Sequence, residues 1–252
     1  MKQNFYIFFL LIILIQNAFA LTRTDVLVIE ATENIQYLGE KIATDYFRLY
    51  NRPNDFSLQN QFKENIRELE KDISTINTIS KDPVTRKILE FYKYRLSTIK
   101  RLAIEKPTRS NAKAILKASE VFFEGARSIF KQHHYKSSKE EIMLVRCKEL
   151  KYLIESVSKY YMAFQIGLKS KKHTIEMQKI IQNINHDLKV ITNYSYPNKL
   201  EKKLENIKNI WQYNQTFFKN LQEAGFTNLL LSSNSYIKTL LMDLEEHHKE
   251  NL

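Results

Sequence analysis

Apolar residues recur along this chain at helical steps. Ile35, Leu38, Ile42, Tyr46 and Leu49 are separated by 3, 4, 4 and 3 positions, and Leu150, Leu153, Val157, Tyr161 and Phe164 by the same steps. Such spacing lines one face of an α-helix with apolar side chains, the stripe that packs a helix into a bundle. No segment sustains the apolar–polar alternation of a strand, and 4 glycines and 4 prolines in 252 residues leave little turn chemistry for a sheet. The breaks fall between the stripes. Asn51-Arg52-Pro53-Asn54 ends a first helix, and a second runs to about Ser80. Asp82 is placed to cap a third that opens on Pro83, where a missing N–H costs nothing. Pro107 to Ser110 interrupts the chain before a fourth. Ser138 with Glu141 is a capping-box pattern that opens a fifth. Later breaks come at Lys169 to Thr174, at Tyr196-Pro197 and at Gly225 to Thr227. The prediction is an all-α protein made of two tandem antiparallel four-helix bundles.

The two halves also match in sequence. Gln36-Tyr37-Leu38-Gly39-Glu40-Lys41-Ile42-Ala43-Thr44-Asp45-Tyr46 returns as Lys151-Tyr152-Leu153-Ile154-Glu155-Ser156-Val157-Ser158-Lys159-Tyr160-Tyr161, an offset of 115. Ile115 to Glu120 returns as Leu229 to Asn234 at an offset of 114, as do Pro83 with Pro197 and His133-His134 with His247-His248. Four landmarks in one order predict one structural unit carried twice, residues 21–136 and 137–252.

The first twenty residues read differently. Lys2, the apolar run Phe5 to Ile15 and the Ala18-Phe19-Ala20 cleavage signal have the form of a secretory signal peptide, too short to span a bilayer as a helix. The expectation is a periplasmic protein freed of its leader. A net charge of +11 would suggest nucleic acid inside a cell, but export removes that partner. The cations are also interspersed with acids, as in Lys63 to Asp72, which makes a solvated helix face. Cys147 is the only cysteine, so no internal disulfide forms and the thiol is expected as a small buried hydrophobe. Ile207, Ile210, Trp211, Phe217 and Phe218 read as core. No nucleophile elbow, zinc-protease helix or haem-attachment motif occurs, so neither an enzyme nor a cofactor is expected. Adjacent histidines point about 100° apart on a helix, and the two His-His pairs are expected as exposed, frayed helix ends rather than metal ligands.

Ile42-Ala43-Thr44-Asp45-Tyr46, and Val157 to Gly167 in the second half, resemble the end of a signature running roughly A-G-R-Q-R-M-L-S-Q-R-I-A-K-x-Y. That signature opens the N-terminal sensory domain of type IV pili methyl-accepting chemotaxis transducers, the PilJ-type domain. This module is similar to the periplasmic domain of nitrate/nitrite sensor kinases. The resemblance implies a periplasmic four-helix bundle present in two copies. In the nitrate sensors the signature helices of two subunits meet at a dimer interface, where an arginine holds the anion. Laid on this chain, that arginine falls at Gln36 and Lys151, and the next at Lys41 and Ser156, so nitrate recognition does not transfer. Packing the two helices together would bring Gln36 and Lys151 toward a pseudo-twofold axis flanked by Glu40 and Glu155. One lysine and two carboxylates suit a cationic or zwitterionic ligand as well as an anion, so the ligands to consider are small anions, amino acids and amines.

Two functional readings follow. One is a non-enzymatic sensory or ligand-binding protein that signals through a membrane receptor or other envelope protein. The other is a ligand-free structural or adaptor protein of the envelope. The first expects a closed polar pocket where Gln36 and Lys151 converge, and the second a filled interface with an exposed apolar patch elsewhere.

Overall fold

Side-chain caps set the helix starts. In the computed structural model, which describes residues 23–132, 138–219 and 226–252, Asp55 accepts from the Leu58 amide (3.0 Å) and Asp82 from the Thr85 amide (2.6 Å). Ser138 and Glu141 form the full capping box, Glu141 N–H to Ser138 Oγ at 3.1 Å and Ser138 N–H to Glu141 Oε2 at 2.6 Å. Ser170 accepts from the His173 amide at 3.1 Å. Among the described residues there are eight helices: α1 (Arg23–Asn51), α2 (Phe56–Ile79), α3 (Pro83–Leu102), α4 (Arg109–Gln132), α5 (Lys139–Gln165), α6 (Lys171–Thr192), α7 (Asn198–Lys219) and α8 (Thr227–Glu250). The described residues contain no strand, and no helix among them is long and apolar enough to cross a membrane. The expected leader, His133-His134 and Gly225 lie outside the described residues.

Glycine closes α5. Gly167 has φ +82°, a backbone that side-chain-bearing residues adopt at a cost, and the Leu168 amide donates back to the Ala163 carbonyl at 2.8 Å. The turn leads directly into α6, and Arg109 at the start of α4 donates from Nη2 to the Gly167 carbonyl at 2.7 Å.

The apolar stripes are the core. Ile35, Leu38, Ile42, Tyr46 and Leu49 on α1 are buried, and so are Leu150, Leu153, Val157, Tyr161 and Phe164 on α5. Each such side chain contributes about 1.5–3 kcal/mol by leaving water. α1 packs on α2 and α4, and α3 closes that ring against the same two helices. α5 packs on α6 and α8, with α7 completing the second ring. The two rings are joined by a direct contact of α1 with α5. Cys147 is fully buried, and Trp211 is buried against Phe218 while its indole N–H donates to Asn185 Oδ1 at 2.8 Å.

The α3–α4 contact is tight at one point. The Tyr92 hydroxyl donates to the Phe122 carbonyl at 2.8 Å, which holds its ring over Gly125, where a Cβ would come within 2.7 Å of the ring and 2.8 Å of Ile88 Cγ2. Gly125→Ala is therefore expected to destabilise the protein by about 1–3 kcal/mol through overpacking, although alanine favours helix. Urea denaturation checks this, and an unchanged or raised midpoint would refute the contact.

Candidate functional site

Besides its core stripe, α1 carries a second row at Glu33, Tyr37, Glu40, Thr44 and Phe47, stepped by 4, 3, 4 and 3. α5 has the same steps at Lys148, Tyr152, Glu155, Lys159 and Met162. Steps averaging 3.5 make a coiled-coil seam. Glu33 pairs with Lys148, the residue 115 positions further on, and Glu40 pairs with Lys159, while Thr44 lies beside Glu155. Glu33 near the start of α1 meets Lys148 near the start of α5, and Glu40 and Thr44 further along meet Lys159 and Glu155, so α1 and α5 run parallel. Because α5 is covered by its own bundle on one side and by α1 on the other, every residue from Leu153 to Phe164 is buried.

The charges in this seam are paired. Glu40 Oε2 lies 2.6 Å from Lys159 Nζ, and both side chains are 2% exposed. Ser119 of α4 donates to Glu40 Oε1 (3.2 Å) and accepts from Lys159 Nζ (3.3 Å), and the Lys159 ammonium sits 4.3 Å from the centre of the Tyr160 ring. On the opposite flank Glu155 pairs with Lys238 of α8, whose ammonium is 5.5 Å from the centre of the Tyr37 ring. Burial acts to raise the Glu155 pKa, but the ammonium groups of Lys238 and Lys41 outweigh it and hold the carboxyl below its ordinary range. The Lys238 ammonium, despite burial, is raised by Glu155. Burial pushes the Tyr37 hydroxyl up to about 12.

Of the five residues singled out in the sequence, three meet here. Glu40 and Glu155 are seam carboxylates, as is Glu33, and Lys41 ion-pairs with the buried Asp45 while also acting on Glu155. Gln36 and Lys151 do not converge. Gln36 turns to the α4 flank, whereas Lys151 turns to the α8 flank and pairs with Glu245 Oε1 at 2.9 Å. Helical geometry explains this: the two residues lie one step beside the seam row, so parallel packing sends them to opposite sides. Lys159, Lys238 and Ser119 were missed. The 4-3-4-3 row was a legible signal for Lys159, while nothing local marks Lys238 or Ser119.

Two neighbouring cavities open on the α4 flank. One, of about 230 Å³, is bordered by Gln36, the Glu33–Lys148 pair, Arg127, Phe130 and Tyr152. The other, of about 410 Å³, lies between α4, α5 and α6 over the Glu40–Lys159 pair. Arg127, Glu149 and Tyr152 line both.

The second histidine pair corrects an expectation. His248 is fully buried rather than frayed, because its imidazole is held at both nitrogens. Nδ1 lies 2.7 Å from Glu140 Oε2 and Nε2 lies 2.8 Å from the Tyr196 hydroxyl, while Tyr194 donates to Glu140 Oε1 at 2.7 Å. A neutral ring satisfies both contacts, donating to the carboxylate and accepting from the phenol. Burial lowers the His248 pKa, against the pull of Glu140. The described residues contain no group of histidine, cysteine or carboxylate side chains arranged to hold a metal ion. The chain matches no known family model, no curated protein and no solved structure.

Two outcomes test this description. Lys159→Met leaves the Glu40 carboxylate buried without its cation and should cost about 3–5 kcal/mol, most of it recovered when Glu40→Leu is added. Urea denaturation of both variants decides the matter, and equal losses would show that the pair is not a closed unit. The folded His248 takes its proton less readily than the unfolded one, so stability should fall as pH drops below 6.5. In His248→Gln that part of the pH slope should vanish. A difference between variant and wild type that stays constant from pH 7.5 to 5 would contradict the buried neutral ring.

Proposed function

We propose that this chain is an exported, non-enzymatic sensory or ligand-binding protein built from a PilJ-type bundle used twice. A small ligand binds beside the seam of α1 and α5, and the bound state is presented to a membrane receptor or other envelope protein. The observation that carries this reading is the parallel contact of α1 with α5, flanked by open cavities. Those helices hold the two signature-like segments, and the family resemblance implies recognition where signature helices meet. The departure lies in where the ligand goes. Ion pairs fill the seam itself, so the site is on its α4 flank, bordered by Gln36, Glu40 and Arg127. A ligand there would bias α1 and α5 between two packings, because it favours whichever state contacts it better.

The adaptor reading draws on two observations: ion pairs fill the seam where Gln36 and Lys151 were expected to converge, and an apolar patch is exposed elsewhere. Val84, Phe91 and Tyr94 stand exposed on α3, the last two at 66% and 64%, on a helix face turned away from α2 and α4. Thermal unfolding against nitrate, nitrite, other small anions, amino acids and amines separates the two readings. A concentration-dependent rise in midpoint with one compound is the expected result, since a ligand of the native state stabilises it by mass action. A panel with no shift, together with capture of an envelope protein that is lost in Phe91→Ser, would replace the ligand-binding reading by the adaptor.

A further inference from the structure

The two flanks of the seam are built alike but finished differently. On the α8 flank the Lys238 ammonium is received by the Tyr37 ring and the Glu155 carboxylate, and Lys41 adds a second positive charge to Glu155. Counting 115 positions from each of these residues leads to the α4 flank, where Tyr152 and Glu40 correspond to Tyr37 and Glu155. α4 and α8 match in burial at this same offset (Ser119 with Asn234, Ala126 with Leu241) rather than at the 114 of the sequence match, so the positions that correspond to the two lysines are Phe123 for Lys238 and Ser156 for Lys41. All four of these residues line the cleft of about 410 Å³ between α4, α5 and α6. That cleft has a ring and a carboxylate but neither lysine: Phe123 packs on the Tyr152 ring with 5.6 Å between centres, and Glu40 keeps Lys159 and Ser119 as its partners. Its own Lys159 approaches Glu40 from within the seam, at the position matching Thr44, and leaves the cleft open.

We propose that this cleft binds an aliphatic di- or polyamine, one ammonium of which takes over Tyr152 and Glu40 the place that Lys238 takes over Tyr37 and Glu155. Resting on the ligand-binding reading above, this assigns the chemical class of the ligand. Charge favours the same class. Five carboxylates and four cationic side chains line the cleft, and Arg146 beside it pairs with Glu149 at 2.8 Å. Lys172 is paired with Glu120, and Lys179 with Glu176. Glu124 at the exposed rim has no ion pair among the described residues and is the partner for a second ammonium. An ammonium held over an aromatic face beside a carboxylate is attracted by both, and in a cleft that attraction is screened less by water than at an exposed site. The basic surface elsewhere repels amines, so adventitious binding is weak.

Titration calorimetry of the purified protein with 1,4-diaminobutane and spermidine tests the assignment, with 1,4-butanediol as a neutral isostere. Saturable binding of the amines but not of the diol is expected. Phe123→Lys supplies the ammonium from the chain itself and should abolish binding. Glu124→Gln, at the exposed rim, should weaken it at least tenfold without changing the melting temperature. Amine binding left unchanged in Phe123→Lys overturns the proposal. Should Phe123→Lys not fold, unchanged affinity in Glu124→Gln overturns it instead. If the amines fail to bind while an anion or amino acid from the panel does, the amine assignment falls and the ligand-binding reading stands. Silence from every compound removes both.

Discussion

The structure depends on buried charge between α1 and α5. Glu40 and Lys159 are each almost fully withdrawn from water, a transfer that would cost several kcal/mol per ion if either stood alone. Their attraction is strong only because the surroundings are dry, and Ser119 of α4 supplies the extra hydrogen bonds that such a pair requires. A slip of one residue along the seam would strand both charges, so the pair fixes register more than it adds stability. The Glu33–Lys148 pair repeats the constraint at another level, and the Glu155–Lys238 pair ties α5 to α8. Through Ser119 and Lys238 the seam also sets where α4 and α8 lie, which are the helices that decide what opens on each flank.

That control produces an asymmetric pair of flanks from two similar helices. A lysine at position 238 reaches into one flank and closes it over Glu155, while a phenylalanine at position 123 lies along the wall of the other. The flanks also differ at Ser156, which stands where Lys41 stands on the other side, and the cleft on the α4 flank measures about 410 Å³. The core stripes of the two bundles can be preserved while position 123 changes, because it belongs to neither core.

A second polar knot binds the far end of the α5 bundle. Glu140 at the start of α5, His248 near the end of α8 and Tyr194 and Tyr196 between α6 and α7 share one hydrogen-bond chain. It joins three chain segments at the edge of the apolar core, and the Cys147 thiol, pushed up to about 12 by burial, packs next to it. Polar atoms can close a bundle end in this way because each finds a partner, so little desolvation is left uncompensated.

Much of the architecture was written locally. Helical periodicity, Asp82 before Pro83, and Ser138 with Glu141 fixed the elements and most of their boundaries, because caps and stripes act over a few residues. Glu40, Glu155 and Lys41 could be selected as interface polar residues from the repeated segment. The sequence also contained the second row of α1 and α5, which a single core stripe does not explain. What the chain alone left undecided depends on distances no local rule supplies. The splaying of Gln36 from Lys151, the reach of Lys238 across to Glu155, and the burial of His248 beneath two tyrosines each join residues about 50 to more than 100 positions apart. Only packing in three dimensions decides whether a polar side chain meets water or a partner, and hence whether it is surface, strut or site.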